Sequence, residues 1–294
     1  MIGVYLIDKP VGMTSTDAVR MIRRHTNQRR VGHAGTLDPT ASGLLLVCVG
    51  EATKLVPYLV TETKEYVAEG LLGSETLTDD AGSEAIETAP WEHVTESVLS
   101  TALQAYHGHH MQKPPRVSAV KRGGERFYKR VHRGEDVDDE LPERAVVAHQ
   151  LTLASCSLPQ FSVEMIVGKG FYVRSLFRDI GRDVESAAHV TALRRTRVGQ
   201  FQVEDACSPH ELTPEPQISI RNALNHMKTM HADEHIANCL RWGQRPAYPG
   251  ADEEANALIN EPFRVLAPDD SLVAIATLTE AKCIKVLRGF EPRS

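Results

Sequence analysis

An apolar run, GLLLVCV at positions 43–49, sets the strongest limit on how this chain of 294 residues folds. Its length and its lack of polar residues predict a buried strand. Glycines at positions 32, 35 and 43 flank a single carboxylate, Asp38, and let the backbone bend sharply around it. The sequence therefore predicts a tightly turned loop that carries Asp38 and leads into a buried strand.

The Asp38-Pro39 pair has two interpretations from local sequence alone. An aspartate followed by proline is typical of a helix N-cap with proline at the first helical position. The alternative is a functional loop, in which Asp38 is a reactive carboxylate and His33 faces a ligand. A single histidine on a loop is otherwise simply exposed, so the local pattern leaves both interpretations open.

The remaining pattern predicts strands and helices in mixed order. A helix from Ser15 or Thr16 to Arg24, an acidic loop over 74–92 and a long excursion over 107–143 are expected. We expect a catalytic α+β domain over 1–235 and a small β-rich module over 236–294. The other expected elements are strands at 3–7, 65–71, 145–158, 161–167, 197–203, 263–267, 272–278 and 283–287, and helices at 94–106, 172–185 and 217–230.

The net charge of −6 hides a strong segregation of charge along the chain. Residues 62–96 hold ten acidic side chains against one basic, whereas residues 113–133 hold eight basic side chains against one acidic. Residues 169–197 are again basic, with seven basic against three acidic side chains. Basic patches of this kind are able to track a phosphate backbone, although solvated surface faces would give the same pattern.

Composition also excludes several classes of protein. No stretch approaches the roughly 20 apolar residues that a membrane-spanning helix needs, and the N-terminal residues do not have the pattern of a signal peptide. The five cysteines are scattered without a C-x-x-C pair, which argues against a disulfide framework or a zinc site. We expect a cytoplasmic protein without a membrane partner.

Five segments carry a resemblance to a known family. The segment VGHAGTLDPTASGLLLVCVGEATK, residues 31–54, resembles the signature loop of the TruB family of tRNA pseudouridine synthases, and four other segments resemble that family in the same order. They are DKPVGMTS at 8–15, the stretch 64–82 that begins KEYVAEGLLG and includes Thr76, Thr78, Asp80 and Gly82, QKPPRVSAVKRGGERFYKRVHRG at 112–134, and KGFYVRSLFRDIGRDVESAAHVTALRRTRVGQF at 169–201. The sequence departs from the family pattern at Ala34, at Val167-Gly168 and at 184–186.

The resemblance implies a fold and a reaction. The fold is α+β: a mixed, mainly antiparallel sheet with flanking helices and an RNA-gripping insertion, followed by a small β-rich domain similar to PUA domains. The reaction is the isomerisation of uridine to pseudouridine at position 55, in the T-loop of tRNA, after the base is flipped out of its stack. It uses neither a metal nor an organic cofactor.

The family pattern also implies roles for individual residues. Asp38 falls on the catalytic aspartate, and Arg174 falls on an arginine that orients it and keeps it charged. Tyr66 is expected to stack on the uracil and is a candidate base for the C5 proton, although a phenol is a poor base at neutral pH. Substrate contacts are further implied for His33, Tyr172, Leu193 and Lys9. Core packing is the alternative for Tyr66, Tyr172 and Leu193, and a surface helix position is the alternative for Arg174.

The basic insertion, the segment at 112–134, is expected to grip phosphates of the tRNA T-arm, which positions RNA without reading its sequence. The expected partner is tRNA, bound by a monomer with no obligatory protein partner. The alternatives are an RNA-guided synthase of a ribonucleoprotein particle and a non-catalytic tRNA-folding chaperone; a hydrolase lacks a convincing second carboxylate. The expected phosphate ligands are Lys113, Arg116, Lys121, Arg122, Arg126, Lys129, Arg130 and Arg133.

Overall fold

The computed structural model describes residues 2–118 and 141–290, the backbone of 121–122 and 125–126, and residues 130, 131, 133 and 135. Helices and strands alternate irregularly along this part of the chain. The helices are α1 (Ser15–Thr26), α2 (Val56–Leu59), α3 (Glu96–Ala105), α4 (Val173–Asp183), α5 (Glu234–Arg241) and α6 (Asp252–Asn256). Within the described residues, no helix is both long and apolar enough to cross a bilayer.

Most of the strands belong to one large sheet. Its members are β1 (Gly3–Lys9), β2 (Val31–Ala34), β3 (Ala41–Val49), β4 (Lys64–Leu72), β7 (Gly108–Gln112), β10 (Arg144–Ser157), β11 (Gln160–Val167), β12 (Ala188–Val198) and β13 (Phe201–Gln202). Two short hairpins lie outside it: β5 (Ser74–Thr76) with β6 (Ala85–Thr88), and β8 (Lys121–Arg122) with β9 (Glu125–Arg126). A second sheet contains β14 (Thr229–His231), β15 (Phe263–Leu266), β16 (Leu272–Leu278) and β17 (Ile284–Gly289).

The strand order of the large sheet places residues distant in sequence side by side. The order is β1-β3-β12-β4-β11-β10-β7, with β2 on β3 and β13 on β12. All of these pairs are antiparallel except β3 with β12, which are parallel and bring Leu193 opposite Ala41. The expected α+β class with a mainly antiparallel sheet is confirmed.

Two glycines allow the close approaches on which this sheet depends. A Cβ on Gly43, which has φ +103°, would lie 2.2 Å from the carbonyl oxygen of Arg195, so only glycine lets β3 meet β12 here. A Cβ on Gly70 would lie 2.3 Å from the ring of Phe177. The missing side chain at position 70 therefore lets α4 pack directly on β4.

The helices cover the sheet through apolar side chains. On α1, Ala18, Val19 and Ile22 pack against one face of β1 and β3. α3 and α4 pack together over β4, β10 and β11, where Phe161 stacks on Phe177 with ring centroids 5.1 Å apart. This packing fixes α4, and with it Arg174, relative to the central strands.

The second sheet lies against the large one. Leu266, Leu272, Ile275 and Phe290 join the apolar cluster on the other face of β1 and β3. A separate core forms within the second sheet between its strands and α5 and α6. This sheet begins at Thr229, slightly before the boundary expected at 235.

Several expected elements need correction. The expected helix over 217–230 is wrong: Ile218 forms a bridge to Val4, residues 222–224 form a short 3-10 helix, and β14 follows. The acidic loop over 74–92 contains the β5–β6 hairpin, and the expected excursion over 107–143 begins with β7, which pairs with β10 in the large sheet. The strand expected at 197–203 is the end of β12 and the short β13, separated by a turn at Gly199.

Candidate active site

A cleft of about 460 Å³ opens where the parallel pair β3–β12 meets β4 and the start of α4. This volume falls in the range of small-ligand pockets, about 300–1,000 Å³. Its walls combine an apolar and aromatic surface with one acidic and one basic side chain. The lining residues are Thr36, Leu37, Asp38, Pro39, Tyr66, Val117, Ser118, Phe171, Tyr172, Val173, Arg174 and Leu193.

The loop that carries Asp38 is held by the turn between β1 and α1. The hydroxyl of Ser15 donates to the Leu37 carbonyl and accepts from the Leu37 amide, both at 2.9 Å. The amide of Gly12 donates to the carbonyl of Pro39 at 2.7 Å. Asp38 begins a turn that leads into β3, so the interpretation of Asp38-Pro39 as a helix N-cap is wrong.

Lys9 supports the same loop from the protein interior. Its ammonium is fully buried and donates to the carbonyls of Pro10 at 2.9 Å, Met13 at 2.8 Å and Ala41 at 2.5 Å. Burial lowers the pKa of Lys9, and the charge of Asp38 opposes this shift. The expectation that Lys9 binds substrate is therefore corrected: its donors are directed to the protein's own backbone, and it does not line the cleft.

Asp38 and Arg174 form the ion pair of the cleft. Arg174 Nη2 lies 2.8 Å from Asp38 Oδ2, with 9% of the arginine side chain and 39% of the aspartate side chain exposed. The guanidinium is thus buried while the carboxylate remains open to a ligand. The fixed guanidinium therefore sets the orientation of a carboxylate that faces the cleft.

Arg174 is itself fixed by several contacts. Nη1 donates to the carbonyl of Thr78 at 2.6 Å, Nη2 donates to the carbonyl of Val117 at 3.3 Å, and Nε lies 3.8 Å from Asp80 Oδ2. These partners surround the guanidinium in a way that only its planar fork can satisfy together. The alternative of a surface helix position for Arg174 is therefore wrong.

Asp80 connects Arg174 to the Asp38 loop by a second route. Its Oδ1 accepts from the Thr78 hydroxyl at 2.6 Å and the Gly82 amide at 2.9 Å, and its Oδ2 accepts from the Thr40 hydroxyl at 2.8 Å. Thr40 follows Asp38 by two residues. Asp80 thus restrains both members of the Asp38–Arg174 pair.

Tyr66, Leu193 and Tyr172 all lie in the cleft wall. Tyr66 on β4 and Leu193 on β12 are half-buried. They pack against both the cluster under α1 and the cluster under α3 and α4. Tyr172 is held through its backbone, whose amide and carbonyl bind the side-chain amide of Gln112 at 2.8 and 2.9 Å. Burial raises the pKa of Tyr172, so its phenol remains protonated at neutral pH.

His33 lies on β2, paired with Val47, and not on the loop where the sequence placed it. It is not among the residues that line the cleft. Burial lowers the pKa of His33, and the charge of Arg195 acts in the same direction. The imidazole is therefore neutral at pH 7.

The basic insertion is described only in part. Lys129 and the side chains of Lys121, Arg122 and Arg126 lie outside the described residues. Arg130 Nε lies 2.6 Å from Glu135 Oε2 and Arg133 Nη2 lies 2.7 Å from Glu135 Oε1. Lys113 and Arg116 are half-exposed next to the cleft wall. An RNA phosphate would have to compete with Glu135 for the two arginines.

Several residues of this site have no role implied by the sequence. Asp80, Thr40 and Ser15 fix the Asp38–Arg174 pair, and Val117 and Ser118 form one wall of the cleft. The motif of Thr76, Thr78, Asp80 and Gly82 was the available signal, because a regular spacing of small and acidic residues in a loop indicates a bonded turn. Among the described residues, no group of three or more His, Cys, Asp or Glu side chains is placed to hold a metal ion.

Comparison with known proteins finds two matching family models. A family model described as TruB family pseudouridylate synthase (N terminal domain) matches residues 23–173, and one described as tRNA pseudouridylate synthase B C-terminal domain matches residues 174–230. The second match ends where the second sheet begins.

Curated relatives match over most of the chain. A protein of Thermobifida fusca named tRNA pseudouridine synthase B is 44% identical over 221 residues, 72% of this chain and 75% of that one. A protein of the same name from Arthrobacter sp. is 37% identical over 284 residues, 93% of this chain and 92% of that one.

Solved structures show the same fold. A structure described as a Cbf5-Nop10-Gar1 complex aligns with a TM-score of 0.76 at 24% identity, covering 99% of this chain and 86% of that chain. An H/ACA RNP bound to a substrate RNA aligns with a TM-score of 0.74 at 22% identity, covering 100% and 86% of the two chains. Because the two family models match most of the chain and relatives align over most of its length, the chain belongs to the TruB family of pseudouridylate synthases.

Proposed function

We propose that this chain isomerises uridine to pseudouridine in transfer RNA, at the T-loop uridine of position 55, and that Asp38 is the catalytic carboxylate. The observation that carries the proposal is the half-exposed Asp38 carboxylate, held 2.8 Å from a buried guanidinium at the side of a nucleotide-sized cleft. The names of the curated relatives support tRNA as the substrate.

The reaction breaks the bond from the ribose C1′ to uracil N1 and forms a bond from C1′ to C5. The hydrogen on C5 leaves as a proton, and N1 gains one, so no external electron donor takes part. The base must detach, rotate and reattach inside the cleft. An enclosed wall of Tyr66, Leu193 and Tyr172 retains the base during this rotation, since escape would end the reaction.

Asp38 performs the chemistry on either the ribose or the uracil ring, and its oxygen must be ionised in both cases. Arg174 orients the carboxylate through their ion pair. Because the remaining contacts of Arg174 go to the protein, it acts on the substrate through Asp38.

Tyr66 stacks on the flipped uracil, a contact worth about 1–3 kcal/mol per base. The target base leaves its stack because the ribose and the ring must be reached from directions that the folded T-loop blocks. His33, neutral and next to the Asp38 loop, fills the space that the base leaves in the RNA. Flipping costs a few kcal/mol, which these contacts offset.

The T-arm lies along the basic insertion, and its phosphates contact the side chains of residues 113–133. Lys113 and Arg116 at the cleft edge are the nearest described members of this set. Neutralising two or three of these residues weakens tRNA binding and flattens its dependence on salt. The same salt dependence in the variants as in the unmodified protein would remove this segment from the interface.

The chain divides into a catalytic body up to about residue 228 and a second module over 229–290. The separate core of the second sheet supports this division, which shifts the boundary expected at 235. The module resembles a small PUA domain, and we assign it RNA binding outside the T-loop. The protein works as a monomer in the cytoplasm.

The test is incubation of the purified protein with an unmodified tRNA transcript, followed by mapping of pseudouridine. Conversion of a single T-loop uridine supports the proposal, and no conversion refutes it. A bare T-arm stem-loop in the same assay separates a stand-alone synthase from an RNA-guided one, which needs a guide RNA and partner proteins.

A further inference from the structure

A row of three arginines on α4 joins the active site to two other parts of the chain. Arg174, Arg178 and Arg182 are spaced four residues apart, so they share one face of the helix. Each contacts the segment 75–80. Arg174 binds the Thr78 carbonyl, Arg178 Nη1 lies 2.9 Å from Asp79 Oδ2, and Arg182 holds Glu75 through two bonds of 2.6 and 3.0 Å.

Arg178 is more deeply buried than Arg182 and has additional hydrogen-bond partners. Only 5% of the Arg178 side chain and 1% of the Asp79 side chain are exposed, whereas 47% of Arg182 is exposed. Arg178 also donates to the carbonyl of Lys113 at 3.1 Å and to Asp179 at 2.8 Å. It therefore ties the start of the basic insertion to the acidic turn over 76–82.

The attachment at Lys113 is close to the cleft. Two buried prolines, Pro114 and Pro115, follow it, and Val117 and Ser118 then form one wall of the cleft. Proline fixes its own φ angle, so few rotations remain between the anchored carbonyl and the wall. The carbonyl of Val117 in turn accepts from Arg174, the partner of Asp38.

The acidic turn is held just as firmly on its other side. Asp79 has a positive φ of 57°, and its carbonyl accepts from the Val190 amide at 3.1 Å, while the Val190 carbonyl accepts from Ala81 at 2.9 Å. Because β12 fixes this turn, the turn acts as a fixed support for Arg178. Arg178 then positions the insertion root, residues 113–118, and these residues do not position Arg178.

We infer that Arg178 is a positioning residue that seats residues 113–118 against the cleft, and so couples the RNA-gripping insertion to the Asp38–Arg174 pair. This inference rests on the proposed function, because it assigns Arg178 a part in the same reaction. Arg178 does not line the cleft and does not touch the reacting atoms.

The experiment compares Arg178→Lys with Arg182→Lys, the same change one helical turn further along. Lysine keeps the positive charge beside Asp79 but cannot reach Asp79 and the Lys113 carbonyl together. We measure the single-turnover rate of pseudouridine formation with enzyme in excess, the Kd for tRNA, the Tm, and amide hydrogen exchange over residues 113–118.

We expect Arg178→Lys to lower the single-turnover rate by at least about 10-fold, because small displacements of a positioning wall cost up to about 10²-fold in rate. Exchange at residues 113–118 should rise in this variant. Arg182→Lys should stay within about threefold of the unmodified rate and leave exchange at 113–118 unchanged, with a smaller shift in Tm than Arg178→Lys because Arg182 is half-exposed.

Equal rates in the two variants, or a slower Arg178→Lys with unchanged exchange at 113–118, would overturn the inference. A failure of the proposed function looks different. In that case the unmodified protein forms no pseudouridine, while the exchange measurement still reports whether Arg178 anchors the insertion root.

Discussion

Replacing Arg174 with lysine tests how the cleft orients its carboxylate. The guanidinium contacts Asp38 at 2.8 Å, the Thr78 carbonyl at 2.6 Å and the Val117 carbonyl at 3.3 Å, and lies 3.8 Å from Asp80. A lysine side chain ends in a single charged nitrogen and has a different length from arginine. It therefore contacts only some of these oxygens and leaves the others without a donor.

The magnitude follows from the contacts that are lost. Hydrogen bonds that involve a charged group contribute about 1.5–3 kcal/mol each. Losing the contacts that hold Asp38 in line should therefore raise the barrier by about 3–4 kcal/mol, which is about 10²–10³-fold in rate. The contacts of Arg174 are within the protein, so the Kd for tRNA should change by less than about threefold.

The assay is single-turnover release of tritium from tRNA labelled at C5 of uridine, since C5 loses its hydrogen when it bonds to C1′. Arg182→Lys is the matched control, because this arginine is half-exposed and remote from Asp38 in the contact network. Arg174→Lys with nearly full rate, or with weaker tRNA binding and an unchanged rate, would show that the guanidinium does not orient Asp38 for the reaction.

Tyr66→Phe should keep the Kd for tRNA within about threefold, whereas Tyr66→Ala should weaken binding by the stacking energy of about 1–3 kcal/mol; equal Kd values for both variants in a filter-binding titration would exclude stacking. Lys9→Met should lower the free energy of unfolding by at least about 2 kcal/mol, because three carbonyls lose their donor; a urea midpoint unchanged from the unmodified protein would contradict this. Burial raises the pKa of Asp79 to about 6, against the opposing charges of Arg178 and Arg174. Because the unfolded chain has a pKa of 3.8 here, protonated Asp79 stabilises the fold fully below pH 3.8, and this stabilisation is lost as the pH rises through 6. The stability of the unmodified protein relative to Asp79→Asn should therefore rise by about 2 kcal/mol as pH falls from 7 to 4, and a pH-independent difference in urea unfolding would refute this linkage.

The elements of the core could be predicted because their signal is local. The apolar run at 43–49 and the alternation of Val163, Met165 and Val167 report burial directly, and the structure contains β3 and β11 at these positions. The expected helix over 217–230 failed because tertiary pairing decided that segment: Ile218 bonds to the backbone of Val4, at the opposite end of the sequence.

The candidate site was predictable to the extent that its residues belong to recognisable motifs. The signature loop and the KGFYVR segment located Asp38 and Arg174, which the fold brings to 2.8 Å from each other. Lys9 was placed in the binding site because it belongs to a motif, but a motif does not report where a side chain points. Arg178 carried no signal of its own, since its role depends on a carbonyl that lies 65 residues earlier in the chain.

The most direct measurement of the central claim is pseudouridine mapping on one unmodified tRNA transcript, with the unmodified protein and with Asp38→Asn. The asparagine keeps the shape of the side chain and removes its charge. We expect conversion of the T-loop uridine by the unmodified protein, and no conversion by Asp38→Asn at a similar Kd for tRNA. Conversion by Asp38→Asn at a rate near that of the unmodified protein would contradict the claim that this carboxylate performs the chemistry.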